Sequence, residues 1–287
     1  MKRVKKILIV MNHFKRDSVL IESMRNFLKD REIECIEYDV ESSLNFRAVD
    51  SINLNNVDLA ISLGGDGTLL YCAKIVAGRN IPILAINLGS LGFITEISRD
   101  EWMDSFTKFI EGDLSISPRM MLKVCVIREN KSVNCYLGLN DGVIGTGGIS
   151  KLIRLKVYVS GTYIGRYKAD GVIVATPTGS TAYSMAAGGP ILHPEMEALI
   201  LSPICPFTLS NRPLVIPPEE KLEIIVEKEQ RTDIVLTIDG KDAFSLRPGD
   251  RVVFERSKEK TLIVQSDKRN FYEVLRSKLN WAGEPNA

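Results

Sequence analysis

Ile7-Leu-Ile-Val10 is a continuous apolar run of the kind that a parallel sheet buries on both faces. Residues 17–30 then set Leu20, Met24, Phe27 and Leu28 at helical spacing, and residues 33–38 return to a strand pattern. The alternation recurs with a strand at 57–63, a helix opening near Thr68 and a strand at 81–87. Ser98-Arg-Asp-Glu101 has the form of a capping box, and Trp102, Phe106, Phe109 and Ile110 behind it share one apolar face. Strand alternating with helix predicts an α/β domain on an open, Rossmann-like parallel sheet, in which ligands sit beyond the C-terminal strand ends.

After Gly112 the period shortens to that of strands. Residues 121–128 and 132–139 flank Glu129-Asn-Lys131, and residues 155–159 and 162–167 flank Ser160-Gly161, so both pairs predict hairpins. Further strands are expected at 222–227, 234–238, 251–256 and 261–265, with Asp239-Gly240 and Pro248-Gly-Asp250 as turns. The predicted organisation is an α/β domain over residues 1–112 and a β-rich, sandwich-like domain over 113–267. A last amphipathic helix within 268–281, carrying Phe271, Val274, Leu275 and Leu279, is expected to pack back on the first domain.

The chain has 287 residues, enough for two domains with real cores. With 37 Lys and Arg against 36 Asp and Glu there is no basic excess, which argues against a nucleic-acid partner. A soluble, cytoplasmic protein without a membrane partner is expected, because no apolar segment is long enough to span a bilayer. The five cysteines are odd in number and scattered, and read as core thiols in a reducing compartment. Only two histidines occur, far apart, which weighs against a Ser-His-Asp hydrolase and against a histidine-rich metal site. No metal-ligand set is assigned.

Three stretches could carry chemistry. Ser62-Leu-Gly-Gly-Asp66-Gly-Thr68 closes a strand and opens a helix, a place where backbone N–H groups and the helix dipole attract phosphate. A carboxylate there repels phosphate unless it takes a proton from an attacking hydroxyl or shares a divalent cation with a nucleotide. Neither a Gly-x-x-x-x-Gly-Lys-Ser/Thr loop nor a Gly-x-Gly-x-x-Gly fingerprint is present. The second stretch, Thr176-Pro-Thr-Gly-Ser-Thr-Ala-Tyr-Ser184, crowds small hydroxyl donors together; it suits either close approach by a polar ligand or a loop that satisfies its own backbone. The third, Asn140-Asp141-Gly142, is either a plain turn or an amide and a carboxylate suited to ribose hydroxyls or an adenine edge. Lys168 and Asp170, with Lys151 and Arg154, are candidate phosphate and ribose contacts or simply a solvated face.

Taken in order, Gly64-Gly-Asp66-Gly-Thr68, Asn87-Leu-Gly-Ser-Leu-Gly92-Phe93, Asn140-Asp141 and Thr176-Pro-Thr-Gly-Ser-Thr-Ala-Tyr-Ser184 followed by Gly188-Gly-Pro-Ile191 resemble the motifs of the NAD kinase family over nearly the whole chain. The first motif alone is also similar to loops of diacylglycerol and sphingoid-lipid kinases. The resemblance implies transfer of the γ-phosphoryl of ATP, or of polyphosphate, to the 2′-hydroxyl of the adenosine ribose of NAD, giving NADP. It implies that Asp66 is catalytic and that Gly67 holds phosphate. Asn140, Asp141, Asp170, Thr181, Ala182, Tyr183, Ser184, Met185 and Ala186 are implied as dinucleotide contacts, joined by Lys151 and Lys168. It further implies a divalent cation, magnesium first, and a homodimer or homotetramer. Two positions depart from the family pattern: Asp141 stands where many members have Glu, and Lys241 where many have Gln. The alternatives are a lipid kinase of the same loop superfamily and a non-catalytic dinucleotide-binding module.

Overall fold

The computed structural model describes residues 4–12, 17–40, 52–148, 152–208 and 210–281. The chain divides into two compact units, Met1–Pro118 with Thr261–Ala287, and Arg119–Lys260.

In the first unit β1 (Lys6–Asn12), α1 (Ser18–Lys29), β2 (Glu34–Val40), β3 (Leu59–Gly64), α2 (Asp66–Ile75) and β4 (Pro82–Asn87) follow one another. The strands lie parallel in the order β2-β1-β3-β4. Both faces are covered, which is why β1 and β3 are buried almost throughout and read as unbroken apolar runs. The Asp17 side chain caps α1 by accepting the Leu20 N–H at 3.0 Å. Its buried face, Leu20, Ile21, Met24 and Leu28, joins Ile9, Ile61, Leu84 and Ile86 in one core. A short β5 (Ile97–Ser98), a 3-10 turn (Arg99–Glu101) and α3 (Trp102–Glu111) complete this part, with the capping box formed as expected and Gly112 closing α3 in the left-handed conformation. The helix expected near Thr68 begins at Asp66 itself, where an acidic side chain in the first turn is favoured by the helix dipole.

The second unit is a sandwich of antiparallel sheets, as its short-period pattern implies. Its strands are β6 (Ile116–Arg128), β7 (Lys131–Gly138), β8 (Asp141–Thr146), β9 (Ile153–Val159), β10 (Thr162–Ala169), β11 (Gly171–Ala175), β12 (Leu199–Ile204), β13 (Leu214–Ile216), β14 (Leu222–Val226), β15 (Ile234–Ile238), β16 (Asp242–Leu246) and β17 (Arg251–Val264). One sheet runs β10-β9-β14-β17 with β6 and β7 beyond, and the other β13-β12-β11-β8-β15-β16. Leu122, Val124, Leu155, Val157, Ile224 and Phe254 from the first face Ile144, Val172, Val174, Leu201 and Leu236 from the second. The hairpin turns hold Glu129 and Asn130, and Ser160 and Gly161, at positive φ, the conformation that two-residue hairpins need.

Two expectations need correction. Residues 251–265 are not two strands: β17 is continuous, because the polar stretch Ser257-Lys-Glu-Lys260 contains no residue that breaks an extended chain. Nor are the cysteines five core thiols. Cys125 and Cys135 lie opposite each other in the β6–β7 ladder and form a disulfide, Cys205 is exposed, Cys35 is half-buried, and only Cys72 is a buried free thiol.

The end of the chain returns to the first unit, where Leu262 and Ile263 of β17 pair in parallel with Pro82 and Ile83. Helix α5 (Phe271–Leu279) follows, capped by a reciprocal Asn270–Glu273 box and burying Val274 and Leu275. Arg269, just before it, donates two hydrogen bonds to the Glu101 carboxylate, at 2.7 and 2.8 Å. No helix among the described residues is long and apolar enough to cross a membrane.

Candidate active site

In the first unit β3 and β4 end side by side, with Gly64 paired to Asn87 and the Leu88 N–H donating to the Gly64 carbonyl at 3.0 Å. The two glycine loops that leave these ends therefore start together. At Gly64 a Cβ would overlap the Thr68 hydroxyl, so the turn into α2 closes only on glycine. Asp66, half-buried in the first turn of α2, aims its carboxylate at the second loop. Its Oδ1 accepts the Thr95 hydroxyl at 2.8 Å and the Thr95 and Ile94 N–H groups at 3.1 and 3.3 Å. Its Oδ2 accepts the Phe93 N–H alone, at 2.9 Å.

The Asp66 carboxylate is thus fixed from one side. With about two lone-pair sites per oxygen, Oδ1 is saturated and Oδ2 keeps one site for a reacting group. A relay supports it: the Gly89 N–H donates to Asn87 Oδ1 at 2.7 Å, Asn87 Nδ2 donates to Thr95 Oγ1 at 2.7 Å, and that hydroxyl donates to Asp66. Thr95 lies two residues beyond the motif read from the sequence, and its role there was not visible. Gly67, next along α2, is exposed.

In the second unit the Asn140-Asp141 and 176–184 stretches form one knot. The Thr176 N–H donates to the Asn140 carbonyl at 2.8 Å, and the Thr176 hydroxyl donates to the Leu139 carbonyl at 2.5 Å. Gly179 then packs directly on the Asn140 backbone, where any Cβ would overlap it. Asn140 and Asp141 are buried, and Asn140 Oδ1 is a buried acceptor without a hydrogen-bond partner, as a group awaiting a ligand's hydroxyl or amino donor would be. Burial, and then the nearby Asp239 carboxylate, push the Asp141 carboxyl up to about 7.

The hydroxyl-rich loop is partly self-satisfying. Ser180 bonds the Pro177 carbonyl at 2.6 Å and the Leu192 backbone, and Ser184 pairs with Ser202 at 3.1 Å. Thr178 Oγ1 is buried without a partner. Thr181 is buried, Ala182 and Met185 are half-buried, and Tyr183 and Ala186 are exposed, so the loop offers solvent a ring and a methyl group rather than its row of hydroxyls. Asp170 is half-buried, and its backbone N–H donates to the Ile204 carbonyl at 3.0 Å. Lys168 holds its ammonium 4.3 Å from the centroid of the Phe207 ring. Lys151 lies outside the described residues.

Residues 8–114 match the ATP-NAD kinase N-terminal domain, and residues 139–266 match the ATP-NAD kinase C-terminal domain. A Treponema denticola protein named NAD kinase is 42% identical over 282 residues, covering 98% of both chains. The chain belongs to the NAD kinase family. Family kinship extends to the NAD kinase of Geotalea daltonii, 43% identical over 224 residues and 78% of each chain. Among solved structures, an Archaeoglobus fulgidus NAD kinase in complex with ATP superposes with a TM-score of 0.76 at 27% identity, covering 97% of this chain and all of that one. Yeast NADH kinase complexed with NADH has the same fold, with a TM-score of 0.87 at 23% identity over 99% of this chain and 90% of that one. Membership of this family does not favour the lipid-kinase alternative.

Proposed function

We propose that the chain transfers the γ-phosphoryl of ATP to the 2′-hydroxyl of the adenosine ribose of NAD, giving NADP and ADP, with Asp66 as its catalytic base. The observation that carries this reading is the Asp66 carboxylate held by four donors with one site left on Oδ2. Phosphoryl transfer needs little covalent help from a protein beyond an aligned acceptor and balanced charge. Asp66 Oδ2 accepts the ribose proton as the 2′-oxygen bonds to the γ-phosphorus, and the bond from that phosphorus to the β,γ-bridging oxygen breaks. Gly67 approaches phosphate closely because it has no side chain. Asn140, Asp141, Asp170, Thr181, Ala182, Tyr183, Ser184, Met185 and Ala186 hold the dinucleotide, with Lys151 and Lys168 as its cationic contacts.

Among the described residues no group of three or more His, Cys, Asp or Glu side chains is arranged to hold a metal ion. A magnesium ion would be held by the nucleotide's own phosphates and would neutralise charge on the transferring phosphoryl group, which leaves the one open site on Asp66 Oδ2 to the ribose hydroxyl. The proposal extends to a homodimer or homotetramer in a cytoplasmic setting, and to polyphosphate as a second donor to be assayed.

Purified protein incubated with NAD, ATP and magnesium should form NADP. Asp66→Asn should lower kcat by about 10² to 10⁴ while the protein stays folded. Absence of NADP, or an Asp66→Asn variant of parental activity, overturns the assignment.

A further inference from the structure

Asp239 looks in the sequence like half of an Asp-Gly hairpin turn, and it is one: Asp239 and Gly240 sit at φ 51° and 65°, and the Lys241 N–H closes the turn on the Ile238 carbonyl at 2.9 Å. Asn serves that turn as well as Asp. The carboxylate also acts at a distance. It reaches the connection between β7 and β8 about a hundred residues earlier, where Oδ2 accepts the Leu139 N–H at 2.9 Å and Oδ1 accepts the Asn140 and Asp141 N–H groups at 2.8 and 3.1 Å. The Asp239 N–H donates in return to the Asp141 carbonyl at 2.9 Å.

Three consecutive N–H groups converging on one anion form a nest, and a nest fixes the backbone that makes it. The neighbourhood is cleared for it. A Cβ at Gly138 would lie 2.8 Å from Ile238 Cγ2 and 3.1 Å from Asp239 Oδ1. The backbone so fixed is also the one on which Thr176 and Gly179 dock.

We propose that Asp239 is a positioning residue for dinucleotide binding, holding residues 139–141 so that Asn140 and Asp141 present their side chains in one geometry and the 176–184 loop has a fixed platform. This rests on the reading above that Asn140 and Asp141 contact NAD. It assigns Asp239 no contact with substrate.

The full-length chain should be assayed as Asp239→Ala, Asp239→Asn and Asn140→Ala, each with KM for NAD, KM for ATP and kcat. Asp239→Ala should raise KM for NAD about 10- to 100-fold, since small misplacements of binding groups have effects of that size, and leave KM for ATP within about a factor of two. Asp239→Asn keeps the turn and one acceptor oxygen, so it should recover part of the loss; where Asp239→Ala does not fold, a several-fold rise in KM for NAD in Asp239→Asn is the expected sign. A purely structural role would instead lower kcat with the folded fraction and leave KM for NAD alone. That result in the Asp239 variants, beside a raised KM in Asn140→Ala, overturns the proposal. An unchanged KM for NAD in Asn140→Ala overturns instead the reading on which it rests.

Discussion

Gly92 lies so close to Asp66 that a Cβ at position 92 would overlap Oδ1 and Cγ of the Asp66 carboxylate. Gly92 is not in the left-handed region, so its need for glycine is steric rather than conformational. The second glycine loop is therefore the wall against which Asp66 is set. Gly92→Ala should displace the carboxylate and lower kcat by about 10²-fold, the scale on which a shift of roughly 1 Å acts. Thermal unfolding measured beside kcat separates this from simple loss of fold.

Thr95 offers a sharper dissection of the same wall. Its hydroxyl donates to Asp66 and accepts from buried Asn87, so Thr95→Val strips a donor from the carboxylate and strands the Asn87 amide. Thr95→Ser retains the hydroxyl. Valine should lose about 10-fold or more in kcat, in line with removal of a hydrogen bond to a charged group, and serine should stay near the parent. A loss in serine with parental activity in valine would mean that the methyl group, not the hydroxyl, matters.

How much of this was legible in the sequence follows from the range of the interactions. The strand at residues 7–10 announced itself because both faces of a parallel strand are buried, and the Ser98–Glu101 capping box because its partners are three residues apart. Asp66 stands out in the sequence as a candidate because glycines flank it. Asp239 was not, since the groups that explain it lie 98 to 100 residues away and its local surroundings are a sufficient reason for an Asp-Gly pair. The Cys125–Cys135 bond was missed for a related reason: it depends on cross-strand register in the hairpin, which counting cysteines ignores. Strand β17 carries the polar stretch Ser257-Lys-Glu-Lys260 between its two apolar halves, which hides in the sequence that the backbone stays extended throughout.

Arg269 and Glu101 tie the approach to α5 to the capped start of α3, and the pair makes a pH prediction. Hydrogen bonds from Arg269, with those from Ser98, hold the Glu101 carboxyl down to about 2. A lowered carboxyl stabilises the fold fully above its ordinary value of about 4.5 and loses that contribution as pH falls toward about 2. Arg269→Met should therefore destabilise by on the order of 1 kcal/mol at pH 7, a few degrees in Tm, with the difference from the parent shrinking below about pH 4. Melting curves across that window decide it; a constant gap would show that Arg269 acts through packing of its alkyl chain.

Asp141 has the opposite sign, and here stability and binding are expected to part. Its carboxyl is raised from 3.8 to about 7 by burial and by Asp239, so ionising it costs folding stability that mounts between about pH 4 and pH 7 and is complete above. Asp141→Asn removes that charge without changing shape, and should raise Tm at pH 8 by several degrees, roughly 1–3 kcal/mol, with a smaller gain at pH 5 and none below about pH 4. The same ionised group is the one suited to accept from a ribose hydroxyl. KM for NAD in the parent should therefore fall as pH rises through about 7, while in Asp141→Asn it should be higher and flat with pH. A parental pH profile in Asp141→Asn would remove Asp141 from the binding site; a raised KM without the gain in Tm would mean that the buried charge is already compensated in the free protein.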